Sequence, residues 1–181
     1  QEKQEKEKDV LEAVGREYTL DPKHSLGIDY SISYSYVPSE RIVSSNLTIE
    51  DQADHTLKHT ISASYSILDN MGVSTSVPFV YRYTKMGTDD ELDTADIGDI
   101  SLGVSFQPMK AKQGGVNKTF SLSAGVPTGR SPYKINPETE LSTGNGAFSM
   151  AVGANFSKEI EPIVAFWSLS YSHPFPAKDL D

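Results

Sequence analysis

The sequence contains no cysteine among its 181 residues, so disulfide frameworks, cysteine-ligated zinc and thiol catalysis are excluded. It also lacks any run of about 18 apolar residues, which excludes a transmembrane helix. Basic residues are few, with 16 Lys and Arg against 25 Asp and Glu and a formal net charge of −9. This acidic balance argues against nucleic acid as a partner, because phosphate binding needs a basic surface.

The start of the chain also lacks the apolar stretch of a signal peptide, because Gln1–Gln4 are all polar. This start indicates either a protein that stays inside the cell or a mature fragment. The length suits one domain of ordinary size.

Residues 1 to about 18 are predicted to form a helix. The stretch Gln1–Glu12 is rich in Glu and Lys, with pairs at helical spacing such as Glu2 and Lys6. Asp21-Pro22 ends the helix. We therefore expect residues 1–22 to be a helix and linker, either solvated or the end of a coiled coil. Its narrow apolar stripe consists of Val10, Leu11, Val14 and Tyr18.

From residue 23 to residue 181 the hydrophobic period changes to two, which predicts β-strands. Seven segments show this alternation, and they include stretches that begin near Leu57, Val73, Ile100, Phe120, Phe148 and Ile163. In the first segment the apolar residues Leu26, Ile28, Tyr30, Ile32, Tyr34 and Tyr36 alternate with Gly27, Asp29, Ser31, Ser33 and Ser35.

The connections between these segments alternate in length, and the long ones tend to fall at one end of the strands. Strands of about ten residues with this loop pattern are typical of a bacterial outer-membrane β-barrel. The long connections are predicted at Pro38–Asp54, Lys85–Asp96 and Pro127–Thr143, and the shorter ones at Asp69–Gly72, Pro108–Lys118 and Ser157–Pro162.

The two faces of the predicted strands differ in chemistry. The polar face is mostly Ser, Thr and Gly, whereas a sheet in water usually carries charge on its outer face. We therefore expect the polar face to surround water inside an antiparallel transmembrane barrel and the apolar face to meet lipid. A soluble β-sandwich with its aromatic residues in a core is the alternative. The predicted pore-lining residues are Asp29, Ser31, Ser33, Lys58, Ser62, Ser64, Arg82, Ser101 and Ser105.

Aromatic residues are predicted to form a girdle at each membrane interface, with aliphatic residues between them. Seven crossings would leave the two chain ends on opposite sides, so the barrel is predicted to be incomplete in these residues. The outer girdle consists of Tyr34, Tyr36, Tyr81, Tyr83 and Tyr171, and the inner girdle of Tyr65, Phe106, Phe120 and Phe156.

No catalytic, metal or cofactor site is predicted. The acidic run from Asp89 to Asp99 does not follow the ligand spacing of an EF-hand, so a solvated loop is expected there. His55 and His59 share a strand face near the outer rim, which is interpreted as a chance pair. No G-x-S-x-G elbow occurs, and we expect no enzyme.

Several stretches resemble a known family. Gly98–Gly103 and Leu122–Arg130 are similar to the outer-membrane barrels grouped with the meta-pathway phenol-degradation proteins. Ser131–Pro137, Leu141–Gly144 and Ile163–Tyr171 resemble more narrowly the FapF-type functional-amyloid secretion channels.

This resemblance implies a homotrimer of twelve-stranded barrels in the bacterial outer membrane, of which about seven strands are covered here. It also implies a periplasmic coiled coil, amyloid subunit polypeptides as cargo, and a helix before the first strand that plugs the pore. Uptake of small hydrophobic or aromatic compounds, suggested by the broader family, is the alternative function. The residues assigned to the plug helix are Val10, Leu11, Val14 and Tyr18.

Overall fold

A computed structural model describes residues 20–43, 48–86, 90–108, 115–136, 139–160 and 163–176. Within these ranges the chain forms β-strands and no helix, and therefore no helix long and apolar enough to cross a membrane. The strands are β1 (Leu26–Val43), β2 (Thr48–Leu68), β3 (Met71–Met86), β4 (Asp90–Ile97), β5 (Ile100–Phe106), β6 (Val116–Val126), β7 (Ser149–Ile160) and β8 (Ile163–Pro174).

All the strands belong to one antiparallel sheet that curves into a half-barrel. Its order is β1-β2-β3-β5-β6-β7-β8, and β4 pairs with the part of β3 that β5 leaves free. If β4 and β5 are taken together as one strand, each strand pairs with its neighbour in sequence, as is common for consecutive antiparallel strands. The predicted all-β, antiparallel fold is confirmed.

β4 and β5 form one long strand that is interrupted by a β-bulge. Phe79 of β3 pairs with Ile97 of β4, and Ser76 of β3 pairs with Ser101 of β5. A step of three residues along β3 therefore corresponds to a step of four residues along β4 and β5. The extra residue lies at Gly98–Asp99, where the Gly98 N–H donates to the Pro78 carbonyl at 2.8 Å. Such a bulge reverses the alternation of side chains between the two faces.

Two predicted loops are instead mostly strand. The connection expected at 85–96 is a hairpin, because β3 continues to Met86 and β4 begins at Asp90. The connection expected at 38–54 is largely strand as well, because β1 continues to Val43 and β2 begins at Thr48. In both cases the partner strand satisfies the backbone groups, which outweighs the low strand propensity of Asp, Glu and Pro. Pro38 is tolerated because β1 is an edge strand.

The connections between strands lie at two opposite ends of the sheet. We call the outer end the one that carries the β1–β2 and β3–β4 hairpins and the long segment 127–148 between β6 and β7. The inner end carries the short turn at Asp69-Asn70, the β5–β6 connection and the β7–β8 turn. The predicted segregation of long and short connections is therefore wrong, because only the β6–β7 connection is long and the two hairpins at the outer end are shorter than the β5–β6 connection.

The turns at the inner end are staggered. Met71, at the β2–β3 turn, pairs with Phe106, which pairs with Phe120, which in turn pairs with Ala154 of β7. From Ala154, β7 continues for six more residues to its own turn after Ile160. The β7–β8 turn is therefore displaced from the β2–β3 turn by six residues, or about 20 Å, along the strands. Across the strands the same two turns are four interstrand spacings apart, or about 19 Å. The strands are therefore tilted about 45° to the line of the turns, as closed barrels require.

The apolar face of the sheet is not covered by any described residue, so a sandwich core is not formed there. Leu26, Ile28 and Leu169 are 65%, 69% and 74% exposed. The one buried hydrophobic side chain in the described ranges, Val80, lies on the opposite face. The apolar face is therefore exposed and the buried residues lie on the polar face, whereas a sheet in water usually buries its apolar face.

Candidate functional site

The nine predicted pore-lining residues all lie on one face of the sheet, which we call the hydroxyl face. The register places Asp29 opposite Ser62, Ser62 opposite Ser76, and Ser76 opposite Ser101. Among the strand residues whose burial the structure describes, all the buried ones lie on this face as well. The full predicted set on this face is Asp29, Ser31, Ser33, Lys58, Ser62, Ser64, Arg82, Ser101 and Ser105.

Glycines on the hydroxyl face lie beside serines of the neighbouring strands. A Cβ placed on Gly103 would lie 2.6 Å from Ser74 Oγ, and a Cβ on Gly153 would lie 2.6 Å from Ser121 Oγ. The side chains of adjacent strands therefore converge on this face. Small residues permit this convergence, which accompanies curvature of the sheet towards the hydroxyl face.

Residues 127–136 and 139–148, which we call the capping loop, fold against the β-bulge at the outer end. Asp99 Oδ1 accepts the backbone N–H of Gly129 at 3.1 Å, and its Oδ2 accepts that of Asn145 at 2.6 Å. One carboxylate therefore ties together the two ends of the capping loop. Hydrogen bonds of this charged type are stronger than those between neutral groups.

Two threonines complete this junction. Thr128 Oγ1 donates to the Gly98 carbonyl at 2.8 Å and accepts the N–H of Ile100 at 3.0 Å. Thr143 Oγ1 donates to the Ile97 carbonyl at 3.0 Å and accepts the N–H of Arg130 at 2.9 Å. The hydroxyls thus replace backbone pairing that the bulge interrupts.

The two ends of the capping loop approach so closely that only glycine fits at the contact. A Cβ on Gly129 would lie 2.8 Å from the Cα of Gly144, and a Cβ on Gly144 would overlap Asp99 Oδ1. Gly146 follows with a φ of 68°, in the left-handed region that glycine adopts without strain. Side-chain-free positions therefore allow the capping loop to close on Asp99.

Arg82 binds the later part of the capping loop, at Ser142, to the hydroxyl face. Its Nη1 donates to the Ser142 carbonyl at 3.0 Å and contacts Ser142 Oγ at 3.2 Å. A cavity of about 380 Å³ lies beside this contact, and Lys58 lines its strand side. Its other lining residues are Thr56, Pro78, Val80, Gly98, Asp99, Thr143, Gly144 and Asn145.

The segment before β1 is bound to the inner end of the sheet. The Lys23 N–H donates to Asp69 Oδ1 at 3.0 Å, and the His24 N–H donates to the Ser66 carbonyl at 2.7 Å. A Cβ on Gly72 would lie 3.9 Å from Leu20 Cδ2, so Leu20 lies over the hydroxyl face. The chain therefore reaches β1 from the hydroxyl side of the sheet.

Gln107 is the most enclosed polar side chain in the described part of the chain. It is 0% exposed, and neither Oε1 nor Nε2 has a hydrogen-bond partner. Its own backbone N–H donates to the Asn70 carbonyl at 2.8 Å, which fixes it at the inner end. Ser66 and Ser157 are buried at the same end, at 6% and 4% exposure. This end of the hydroxyl face is therefore shielded from water.

Histidines on the apolar face are paired with tyrosines. His59 Nδ1 is hydrogen-bonded to the Tyr30 hydroxyl at 2.6 Å, and His55 Nδ1 to the Tyr34 hydroxyl at 2.7 Å. His55 and His59 thus share a face, as predicted. Among the described residues no group of three His, Asp or Glu side chains could hold a metal ion.

Sequence reasoning missed the junction at Asp99. The available signal was Gly98-Asp99 between two alternating segments, since a glycine inside a strand pattern often marks a bulge. The contact with residues 128–145 could not be read from local sequence. The predicted plug residues Val10, Leu11, Val14 and Tyr18 lie outside the described residues.

A scan against models of known protein families found no match to this sequence.

Proposed function

We propose that this chain forms part of an outer-membrane β-barrel channel, with its apolar face towards lipid and its hydroxyl face towards an aqueous lumen. The observation that carries this proposal is the distribution of burial. Most of the large aliphatic and aromatic side chains on the apolar face are exposed, while the strand residues that the structure describes as buried all lie on the hydroxyl face. A bilayer covers such an apolar surface, and water would leave it as an aggregation hazard.

The stagger of the inner turns supports barrel closure. A tilt of about 45° is close to that of transmembrane barrels, in which the strands incline by roughly 35–45°. Closure also removes the exposed edges of β1 and β8, which in an open sheet would pair with other chains. A homotrimer of twelve-stranded barrels, as in the FapF-type channels, is the assembly we propose.

We propose amyloid subunit polypeptides as the cargo. The hydroxyl face offers many weak hydrogen-bonding groups and few charges, which suits a polypeptide that must pass without being trapped. A stretch that resembles the FapF-type channels also meets one that resembles the broader barrel family, because Thr143 accepts the N–H of Arg130. Within the broader family's motifs, Asp99 binds Gly129. These motif residues therefore have a shared structural role in shaping the outer end.

We further propose that the helix predicted before β1 plugs the lumen from the inner end. Two observations support this: Leu20 lies over the hydroxyl face beside Gly72, and Gln107 is fully buried at the same end. The residues that precede Leu20 in the sequence therefore connect to the sheet from its proposed lumen side. Val10, Leu11, Val14 and Tyr18 would then contact the lumen wall.

Planar-bilayer recordings test the channel and its plug together. The full chain should give small or rare openings, and deletion of residues 1–19 should raise single-channel conductance. Equal conductance for the two proteins would refute the plug, and the absence of channels in both would refute the channel. In the native host, deletion of the gene should abolish extracellular amyloid, and continued secretion would refute the proposed cargo.

Uptake of small hydrophobic or aromatic compounds is the second candidate function. The cavity of about 380 Å³ beside Pro78 and Val80 favours it, because this volume falls in the range of small-molecule sites. Liposome swelling in aromatic solutes distinguishes the two functions. An uptake channel would admit small aromatic solutes selectively over sugars of equal size.

A further inference from the structure

We propose that the cavity beneath the capping loop is a binding site for a carboxylate group, held by Lys58 and Arg82. The two cations come from neighbouring strands on the hydroxyl face. Lys58 pairs in register with Val80, and Thr56 pairs with Arg82, so the cations are diagonal neighbours. Both line the same cavity of about 380 Å³.

Lys58 carries an uncompensated charge. No described residue forms a hydrogen bond or ion pair with its ammonium group. Its cross-strand neighbours on the hydroxyl face are Ser33 and Val80, which are both neutral. A lysine that projects into a partly enclosed cavity without a partner is available to an anionic ligand.

The nearby acids are occupied by other groups. Asp99 Oδ1 and Oδ2 accept backbone N–H groups from the capping loop, and Asp96 lies 3.8 Å from Arg130. Asp54 accepts the Thr84 hydroxyl at 2.5 Å. The charged lining residues of the cavity itself are Lys58, Arg82 and Asp99, which leave one net positive charge. A carboxylate would neutralise this charge.

Arg82 is held in position before any ligand arrives. Its contacts with the Ser142 carbonyl and hydroxyl fix the guanidinium against the capping loop, and its side chain is half-buried. A preorganised cation loses less conformational entropy on binding than a free one. The fixed guanidinium of Arg82 and the exposed ammonium of Lys58 together suit a group with two acceptor oxygens.

This inference deepens the proposed function, because it places a charge-selective step on the lumen wall. The carboxylate could belong to an acidic side chain of a passing polypeptide or to a small aromatic acid. Both sources present the same two oxygens to Lys58 and Arg82. The experiment must therefore use a probe from each source.

Titration calorimetry of the full chain in detergent micelles at low ionic strength tests the site, because salt screens such contacts. The probes are benzoate and its uncharged isostere benzamide, and a capped Gly-Glu-Gly peptide and its Gly-Gln-Gly counterpart. We expect saturable binding of at least one acid, with its neutral counterpart about tenfold weaker. Tighter binding of the peptide would identify a polypeptide source, and tighter binding of benzoate a small acid.

Lys58→Gln should weaken binding of that acid about tenfold, whereas Lys58→Arg should preserve it. Lys134→Gln is the matched control, since Lys134 is an exposed lysine of the capping loop that does not line the cavity. Equal affinity for the charged and neutral probes, or an unchanged affinity in Lys58→Gln, would overturn the site. Because binding is measured in micelles, a failure of the binding site can be distinguished from a failure of the proposed channel, which is measured by conductance in bilayers.

Discussion

The carboxylate of Asp99 accepts the backbone N–H of Asn145 at 2.6 Å, although 46 residues separate the two in sequence. The same carboxylate accepts the N–H of Gly129, so a single side chain in the β-bulge closes the capping loop. The bulge is what makes this contact possible, because one extra residue in the strand redirects the side chain.

Asp99→Asn should loosen the capping loop. The amide has one acceptor oxygen where the carboxylate has two, so at least one of the bonds to Gly129 and Asn145 is lost, at a cost of about 1.5–3 kcal/mol. Faster amide hydrogen exchange at Gly129 and Asn145 is the expected result, together with faster tryptic cleavage after Arg130 and Lys134. Asp93→Asn, which removes an exposed carboxylate of β4 that faces the other side of the sheet, should leave both rates unchanged.

Gly103→Ser should destabilise the barrel, and Ser74→Gly should rescue it. The new Cβ would lie 2.6 Å from Ser74 Oγ, so the two hydroxymethyl groups compete for one space. Overpacking of this kind costs about 1–3 kcal/mol. Urea unfolding in micelles of both single variants and the double variant measures the coupling. Additive destabilisation in the double variant would show that the two positions do not share this space.

Gln107→Leu should raise the free energy of unfolding. Both polar atoms of Gln107 are buried without a partner, and an apolar side chain of similar size removes a desolvation cost of about 1–3 kcal/mol. The midpoint of urea unfolding measures the change. Asn155→Leu is the comparison, because Asn155 is an exposed polar residue on the same face. A destabilised Gln107→Leu variant would mean that the amide has an energetic role in the folded protein.

Tyr30→Phe should destabilise the protein by about 1 kcal/mol, because it leaves His59 Nδ1 on the apolar face without its hydrogen bond at 2.6 Å. Tyr36→Phe is the control, since Tyr36 contacts His55 through a tilted ring contact with centroids 5.0 Å apart, which phenylalanine retains. The two variants are compared by urea unfolding in the same micelles. Equal losses of stability would show that the Tyr30 hydroxyl contributes nothing.

The period-two pattern predicts every strand except β4, together with the faces of those strands, because side chains alternate strictly about a β-strand. Asp29, Lys58 and Arg82, from three different strands, were placed on one face by parity alone, and the register agrees.

The failures in prediction arise where local sequence and tertiary pairing disagree. Acidic residues between Lys85 and Asp96 have low strand propensity, yet β3 supplies a complete ladder for β4. The bulge at Gly98–Asp99 is a one-residue difference between the registers in which β4 and β5 pair with β3. The local sequence does not define these registers. The contact of Asp99 with Asn145 needs the capping loop to fold back, and no periodic pattern encodes that return.

The proposal that the apolar face meets lipid and the hydroxyl face meets water is tested most directly by comparing the surroundings of adjacent residues on opposite faces. The chain has no native cysteine, so single spin labels can be attached at Ser101→Cys, Leu102→Cys, Leu122→Cys and Ser123→Cys in lipid bilayers. Collision rates with oxygen, which concentrates in lipid, and with a water-soluble nickel complex report each environment. If the apolar face meets lipid, oxygen contact is expected at residues 102 and 122 and nickel contact at residues 101 and 123. The reverse pattern, or labels at 102 and 122 shielded from both reagents, would contradict it.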